Sequence, residues 1–168
     1  MHLRTLIFLI TAIVIIGCKE KKITKPQPEK KETISEKVAT STYEDIEGNP
    51  IELSDYKGKR VLLNYWATWC RPCIEEMPEM EKAQTILANE NYVFLFASDQ
   101  SIEKIVKFKE SRGFQLEFIK FNGVYAEENV SALPATFIYN KLGEKVLRFD
   151  GGLKWDSPEM IEKLRAVQ

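Results

Sequence analysis

Two cysteines separated by two residues, in the stretch Trp69–Cys73 (WCRPC), constrain this chain more than any other feature. An apolar run over residues 61–67 precedes the stretch, and an amphipathic run begins at Cys73. This order predicts a strand, a tight turn and a helix. Both cysteines would lie at the N-terminus of the helix, where free amides and the helix dipole favour a thiolate. We expect Cys70 to meet solvent and Cys73, one turn further in, to be shielded.

Such a pair is the minimal apparatus for disulfide exchange, in which Cys70 attacks a partner disulfide and Cys73 resolves the mixed disulfide. Pro72 suits an early helix position, where its missing N–H costs little. Arg71 lies between the cysteines, where a cation can stabilise the Cys70 thiolate. We therefore assign Cys70 and Cys73 as catalytic, and Arg71 and Pro72 as residues that tune the reduction potential.

The same spacing also occurs in zinc sites, which need about four protein ligands. The only other cysteine is Cys18 and the only histidine is His2, both far upstream. We therefore expect no metal and no cofactor beyond the redox-active Cys70–Cys73 disulfide. A structural disulfide without turnover stays open as an alternative.

The N-terminal residues 1–17 have the pattern of a secretory signal. Arg4 precedes an apolar run over residues 6–16, which is too short to span a bilayer comfortably because a helix needs about 20 residues for that. Small Gly17 follows the run. A positive start, a short apolar core and a small residue are typical of a cleaved signal peptide.

The stretch Ile15–Cys18 (IIGC) resembles the bacterial lipobox. The resemblance implies cleavage before Cys18 and lipid attachment to it, and several acyl chains together anchor firmly. We expect a protein of the bacterial cell envelope, anchored to a membrane by lipid and facing the periplasm or the exterior. An ordinary signal peptide with an incidental cysteine is the alternative.

Residues 18–39 are interpreted as a flexible linker and residues 40–168 as the folded domain. The linker is rich in Lys and Glu and contains Pro26 and Pro28 but few apolar residues, so it cannot bury enough surface to order itself. The formal net charge of the whole chain is −1, without the basic excess that a nucleic-acid partner would favour.

The rest of the pattern predicts an α/β domain. Thr42–Asp45 and Pro50–Leu53 form an N-terminal β-hairpin around a turn at residues 47–49. Further strands are predicted at residues 60–66, 92–98, 116–120, 135–139 and 144–149, and helices at residues 73–89, 102–112 and from Pro158 onward. Asp156 or Ser157 would cap the last helix.

Two motifs in this plan resemble the TlpA/ResA-like membrane-tethered thiol-disulfide oxidoreductases of the thioredoxin superfamily. The first is the run from Val61 to Cys73 (VLLNYWATWCRPC) with Glu76-Met77-Pro78 after it, and the second is Ala132–Phe137 (ALPATF). The resemblance implies a thioredoxin-like fold, in which a central mixed sheet is flanked by helices, with an added N-terminal hairpin.

The resemblance also implies roles for residues around the cysteines. Pro134 would be a cis-proline that turns the backbone of Leu133 toward a docking peptide. Trp69 is interpreted from its place beside the cysteine turn as a contact surface. Glu76, one helical turn after Cys73, would affect the thiol pKa or shuttle a proton. Asn64 stands where thioredoxin itself carries a buried aspartate. Trp66 is interpreted as packing, and sequence gives Trp155 no role.

The leading functional hypothesis is a thiol-disulfide oxidoreductase that reduces exported proteins. Its partners would be exported protein thiols or disulfides, with the haem-attachment thiols of apocytochrome c as a candidate, and a membrane electron donor. A copper-delivery protein would need a histidine ligand, and none follows His2. A peroxidase that uses Thr68 near Cys70, and a lipoprotein that binds without catalysis, stay open as alternatives.

Overall fold

The computed structural model describes residues 42–168, which form a mixed sheet of seven strands with three helices. The elements are β1 (Tyr43–Glu44), β2 (Pro50–Ile51), a 3₁₀ turn (Leu53–Tyr56), β3 (Arg60–Tyr65), α1 (Arg71–Ile86), β4 (Tyr92–Ser98), α2 (Ile102–Arg112), β5 (Glu117–Phe121), β6 (Ala135–Tyr139), β7 (Lys145–Asp150) and α3 (Pro158–Arg165). The expected signal and linker, with Cys18, lie outside the described residues. No helix between residues 42 and 168 is long and apolar enough to cross a membrane.

The strand order across the sheet is β2-β1-β5-β4-β3-β6-β7. β3, β4 and β5 run parallel, and β1, β6 and β7 pair antiparallel to their neighbours. β3 lies between β4 and β6 and is buried along its whole length. Its nearly continuous apolar sequence suits a strand that is covered on both faces. Arg60 at its start and Asn64 near its end are the buried polar exceptions on this strand.

All three helices place their buried side chains on one face of the sheet. Met77 of α1, Phe108 of α2 and Leu164 of α3 belong to the same apolar cluster. β3, β4 and β5 follow one another across the sheet in a single direction. Because the connections between parallel strands are right-handed, α1 and α2 then lie on the same face. The other face is covered by the hairpin, the 3₁₀ turn and the turns at residues 124–130. The helices that we expected to flank the sheet therefore cover only one of its two faces.

The helix ends follow local chemistry. Ser101 and Ser157 cap α2 and α3, accepting hydrogen bonds from the amides three residues later, and Gly113 ends α2 with φ of 72°. The start of α1 was predicted wrongly at Cys73. It lies at Arg71, because Cys70 is the residue that caps the helix and Pro72 already belongs to its first turn.

The directions of the strands bring two distant segments to one edge of the sheet. β3 ends at Tyr65, which pairs with Ala135 at the beginning of antiparallel β6. The cysteine turn follows β3, and Pro134 immediately precedes β6. These two segments are about sixty residues apart in sequence, yet they meet because one strand ends where its neighbour begins.

Candidate active site

Cys70 and Cys73 form a disulfide across the first turn of α1, with their Cα atoms 5.3 Å apart. Cys70 is the N-cap residue, and its Sγ accepts a hydrogen bond from the Cys73 amide at 3.3 Å. The cap thus uses a sulfur in place of the usual side-chain oxygen. A thiolate at this position would receive the same N–H together with the positive end of the helix dipole.

The expectation that Cys70 meets solvent is wrong for this disulfide form. Cys70 is 3% exposed and Cys73 is 0% exposed, so the predicted order of exposure is met but both are buried. The bond to Cys73 draws Cys70 into the apolar cluster on the helical face. Trp69 reaches solvent beside the pair, at 71% exposure.

Arg71 and Pro72 occupy the two positions between the cysteines, in the first turn of α1. The Arg71 guanidinium is directed to the Glu75 carboxylate, with Nε to Oε1 at 2.7 Å, and both side chains are largely exposed. Glu75 is thus a surface residue of the first helical turn. The Arg71 guanidinium is next to Cys70 in sequence, but it forms an ion pair with the Glu75 carboxylate.

Gln100, just after β4, holds the turn that precedes Cys70. Its Oε1 accepts a hydrogen bond from the Thr68 amide at 2.7 Å, and its Nε2 donates to the Thr68 hydroxyl at 2.9 Å. One side chain therefore binds both the amide and the hydroxyl of a residue two positions before Cys70. Sequence reasoning missed Gln100, because nothing in its local pattern indicates which turn it will meet.

The Leu133–Pro134 peptide bond is cis, as the resemblance implies. The Pro134 carbonyl accepts a hydrogen bond from the Gly151 amide at 3.0 Å. Leu133 is partly buried and packs against the apolar clusters on both faces of the sheet. The segment is thus fixed on both sides, at the edge where the cysteine turn lies.

Glu76 is almost fully buried, at 4% exposure, although it belongs to the most polar of residue types. Its Oε1 accepts a hydrogen bond from Asn64 Nδ2 at 3.1 Å, and its Oε2 accepts from Trp155 Nε1 at 3.0 Å and from the Leu153 amide at 3.4 Å. Burial raises the pKa of Glu76 to about 7, although the three hydrogen-bond donors each lower it.

Asn64 connects this carboxyl group to β6. Its Nδ2 also donates to Thr136 Oγ1 at 2.9 Å, whereas its Oδ1 is buried without a hydrogen-bond partner among the described residues. Trp155 and Leu153, which reach Glu76 from the segment after β7, were not assigned by sequence reasoning. A tryptophan shortly after two glycines carries no local signal of a carboxylate partner.

A surface cavity of about 240 Å³ lies beside this buried group. It is lined by Pro72, Glu75, Glu76, Glu79, Gly152, Leu153 and Lys154. The cavity therefore connects the turn between the cysteines with the segment that holds Glu76. Within residues 42–168, no group of three His, Cys, Asp or Glu side chains is placed to hold a metal ion.

Comparison with known proteins places this geometry in a family. The AhpC/TSA family matches residues 34–146, which is well over half of the chain. The chain belongs to the AhpC/TSA family. As an AhpC/TSA family member, it carries the two motifs on which the resemblance was based, the cysteine turn and the cis-proline segment, at one edge of the sheet.

Two curated relatives of this AhpC/TSA family member come from Bacillus. Thioredoxin-like protein YneN of Bacillus subtilis (strain 168) is 41% identical over 104 residues, which are 58% of this chain and 60% of that protein. The match thus spans about three fifths of that relative. Thiol-disulfide oxidoreductase ResA of Bacillus thuringiensis subsp. konkukian (strain 97-27) is 32% identical over 131 residues, 73% of each chain.

A solved structure agrees with these relatives. The crystal structure of a thiol-disulfide oxidoreductase candidate from Bacteroides vulgatus has a TM-score of 0.65 and 27% identity, and the match covers 75% of this chain and 90% of that one. The thioredoxin-like fold and the resemblance to ResA-like proteins are thereby confirmed.

Proposed function

We propose that this protein exchanges disulfides with protein substrates through the Cys70–Cys73 pair. The observation that carries the proposal is the disulfide at the N-terminus of α1, with the Cys73 amide donating to Cys70 Sγ. This amide is in place to stabilise a Cys70 thiolate whenever the disulfide is open. The relatives named as thiol-disulfide oxidoreductases support the same activity.

The reaction with a substrate disulfide has two steps. The Cys70 thiolate attacks one substrate sulfur, so that a mixed disulfide forms and the other substrate sulfur leaves as a thiolate. Cys73 then attacks Cys70 Sγ from within the same helical turn, where its effective concentration is high. The Cys70–Cys73 disulfide forms, the second substrate thiol leaves, and two electrons have passed to the substrate. In this scheme Glu76 takes up the proton that the Cys73 thiol loses.

Trapping of the mixed disulfide tests this function. Cys73→Ser should accumulate a covalent adduct with a peptide that contains one disulfide, because the resolving thiol is missing. Cys70→Ser is the matched control and should accumulate far less, since Cys73 is fully buried. Mass spectrometry after non-reducing electrophoresis reads both outcomes. Equal trapping by the two variants, or no turnover of the peptide by the unmodified protein, would refute the proposal and favour a protein that only binds.

The geometry favours exchange over the peroxidase alternative. A peroxidase of this superfamily needs a Thr or Ser and an Arg around one reactive cysteine. Here the Thr68 hydroxyl is engaged by Gln100, and the Arg71 guanidinium is directed to Glu75. Cys70 has a resolving partner within its own turn. The ratio of peroxide turnover to disulfide turnover would separate the two activities.

We further propose that the protein acts as a reductant of exported proteins, the haem-attachment thiols of apocytochrome c among them, and that a membrane protein resupplies its electrons. The reduction potential of the Cys70–Cys73 couple tests the direction. A reduction potential of about −270 mV would support a reductant, and one of about −120 mV would contradict it.

The proposed anchor is lipid on Cys18, in the lipobox-like stretch of residues 15–18. It would hold the domain at a membrane of the bacterial cell envelope, facing the periplasm or the exterior. Cys18→Ser should release the protein from the membrane fraction and leave disulfide turnover unchanged. A variant that stays membrane-bound would show that Cys18 is not the anchor.

A further inference from the structure

Trp155 is a fully buried tryptophan that no step of the proposed reaction uses. Its indole lies edge-on to Phe149, with ring centroids 5.4 Å apart and an interplanar angle of 79°. Its Nε1–H donates to Glu76 Oε2 at 3.0 Å. Trp66 is equally buried, but its Nε1 has no hydrogen-bond partner among the described residues. The two indoles therefore form a natural comparison, one bound to a carboxyl group and one not.

The Glu76 carboxyl group is surrounded by neutral donors. Trp155 Nε1–H and the Leu153 amide reach Oε2, and Asn64 Nδ2–H reaches Oε1. Within residues 42–168 no ion pair to Glu76 is found, since the nearby Lys154 ammonium pairs with Glu79 at 2.9 Å. The charged form of Glu76 thus depends on three N–H groups and on no cation, while the Glu79 charge opposes it.

The two oxygens of the carboxyl group have different surroundings. Oε2 is held by two donors from one short segment, residues 153–155, and neither donor can act as an acceptor. Oε1 faces the Asn64 amide, whose own Oδ1 is buried and unpaired. Rotation of this amide by half a turn would present Oδ1 to Oε1 and to the Thr136 hydroxyl, which can donate as well as accept.

A proton on Glu76 therefore has a prepared acceptor at one oxygen only. An O–H at Oε1 can donate to Asn64 Oδ1 after the rotation, and the orphaned buried oxygen gains its partner. An O–H at Oε2 would face two N–H groups and lose both hydrogen bonds. The charged form keeps all three donors and leaves Asn64 Oδ1 unpaired, whereas the protonated form pairs Oδ1 and turns Nδ2 to the unpaired position. The exchange between the two forms needs only the side-chain rotation.

We propose that Trp155 is a positioning residue, which fixes the Glu76 carboxyl group through Oε2 so that the proton binds and leaves at Oε1. The Asn64 amide rotates to serve either state. The inference rests on the proposed function for its purpose, because Glu76 serves there as the proton acceptor of Cys73. The contact between Trp155 and Glu76 does not itself depend on the thiols. The proposal makes the segment after β7 part of the group of residues that controls the Glu76 proton.

Nuclear magnetic resonance of the oxidised protein tests the proposal, since neither cysteine titrates in the disulfide. The Trp155 indole N–H resonance should titrate with the same midpoint as the Glu76 carboxyl carbon, and Glu76→Gln should abolish that titration. Trp155→Phe removes the donor and keeps an aromatic ring. It should raise the proton affinity of Glu76 about tenfold, equivalent to a free-energy change of about 1.4 kcal/mol. Trp66→Phe, the matched control, should leave that affinity unchanged.

Two outcomes would overturn the role of Trp155. One is an indole resonance that ignores the titration of Glu76, which the unmodified protein reports even if Trp155→Phe does not fold. The other is an equal change of Glu76 proton affinity in Trp155→Phe and Trp66→Phe. The test is separable from the proposed function. An intact titration with no disulfide turnover would refute the exchange activity alone, and normal turnover without the titration would refute the positioning role alone.

Discussion

Among single residues, Glu76 lies one helical turn after Cys73, and both side chains are buried. A carboxylate beside a thiol disfavours the thiolate, so Glu76→Gln should lower the apparent pKa values of the reduced pair. The rate of thiol alkylation against pH should accordingly move to lower pH.

The neighbouring Glu75 provides the control for this prediction. Its side chain is exposed and paired with Arg71, so Glu75→Gln removes the same charge from the adjacent position of the same helix. We expect the alkylation profile of Glu75→Gln to stay close to that of the unmodified protein. Profiles that move equally in the two variants would show that burial of Glu76 gives it no special influence.

Gln100 offers a second prediction for a single side chain. Gln100→Ala removes both hydrogen bonds to Thr68 and leaves the Thr68 amide without this acceptor. The free energy of unfolding should fall by about 1–2 kcal/mol, and disulfide turnover should slow because the segment before Cys70 is less fixed. Urea unfolding and turnover of a model disulfide measure the two effects. Gln84→Ala, at a half-buried glutamine of α1 with one long hydrogen bond to the Gln115 carbonyl, should change neither appreciably; if it does, the effect is not specific to the turn.

At the scale of elements, Arg60 at the start of β3 fastens the end of α3. Its Nη1 donates to the carbonyl oxygens of Leu164 and Arg165 at 3.3 and 3.0 Å, and its Nη2 donates to that of Glu90 at 2.6 Å. The guanidinium carbon lies 4.6 Å from the centre of the Tyr92 ring. Since helix carbonyls carry the negative end of the dipole, the buried cation acts as a cap for α3.

Arg60→Lys should therefore be costly although it keeps the charge. An ammonium group cannot reach carbonyls in several directions as the planar guanidinium does, and we expect a loss of about 2 kcal/mol in the free energy of unfolding. Chemical denaturation followed by circular dichroism gives this value. Arg112→Lys, at an exposed arginine of α2, is the control, and equal losses in both variants would contradict the capping role of Arg60.

Most elements could be predicted because their signals are local. β4, α2 and β6 have the predicted bounds, since each combines a clear apolar pattern, continuous in the strands and periodic in the helix, with a turn or cap residue at its ends. The start of α1 could not be placed correctly, because a cysteine is an unusual N-cap and its sulfur accepts the hydrogen bond that normally marks the boundary. The hairpin strands β1 and β2 are shorter than predicted.

The residues of the candidate site also fall into those that sequence motifs predict and those that only the structure reveals. Cys70, Cys73 and the cis bond before Pro134 could be found from motifs in the sequence. The contact between Glu76 and Trp155 joins residues 79 positions apart, and no local pattern encodes which loop will cover which face of a helix. The burial of Cys70 was missed for a related reason, because exposure depends on packing and on the disulfide itself.

For the whole molecule, the buried Glu76 makes stability depend on pH. Its pKa is about 7 in the folded protein against 4.5 for a solvent-exposed glutamate, so the folded state binds more protons than the unfolded state between these pH values. The contribution of this group is fully present below about pH 4.5 and is lost as pH rises through about 7. We expect a difference in the free energy of unfolding of about 3 kcal/mol across this window.

Comparison with Glu76→Gln isolates that contribution. The free energy of unfolding of the unmodified protein should decrease from pH 5 to pH 8 relative to that of the variant, because the amide does not titrate. The amide oxygen can accept from Trp155 and Leu153, so the variant keeps these contacts. Parallel stability curves for the two proteins would contradict the assignment of a raised pKa to Glu76.

The outer strands of the sheet have a consequence for how copies of the domain meet. β2 has two residues and begins with Pro50, while β7 carries Lys145, Arg148 and Asp150 along an irregular register with β6. Short, charged or proline-bearing edges resist the addition of a further strand. Crowded copies therefore gain little by joining their sheets edge to edge. An unfolded substrate is likewise discouraged from pairing with the sheet margins, and the cysteine turn remains the favourable place for it to engage.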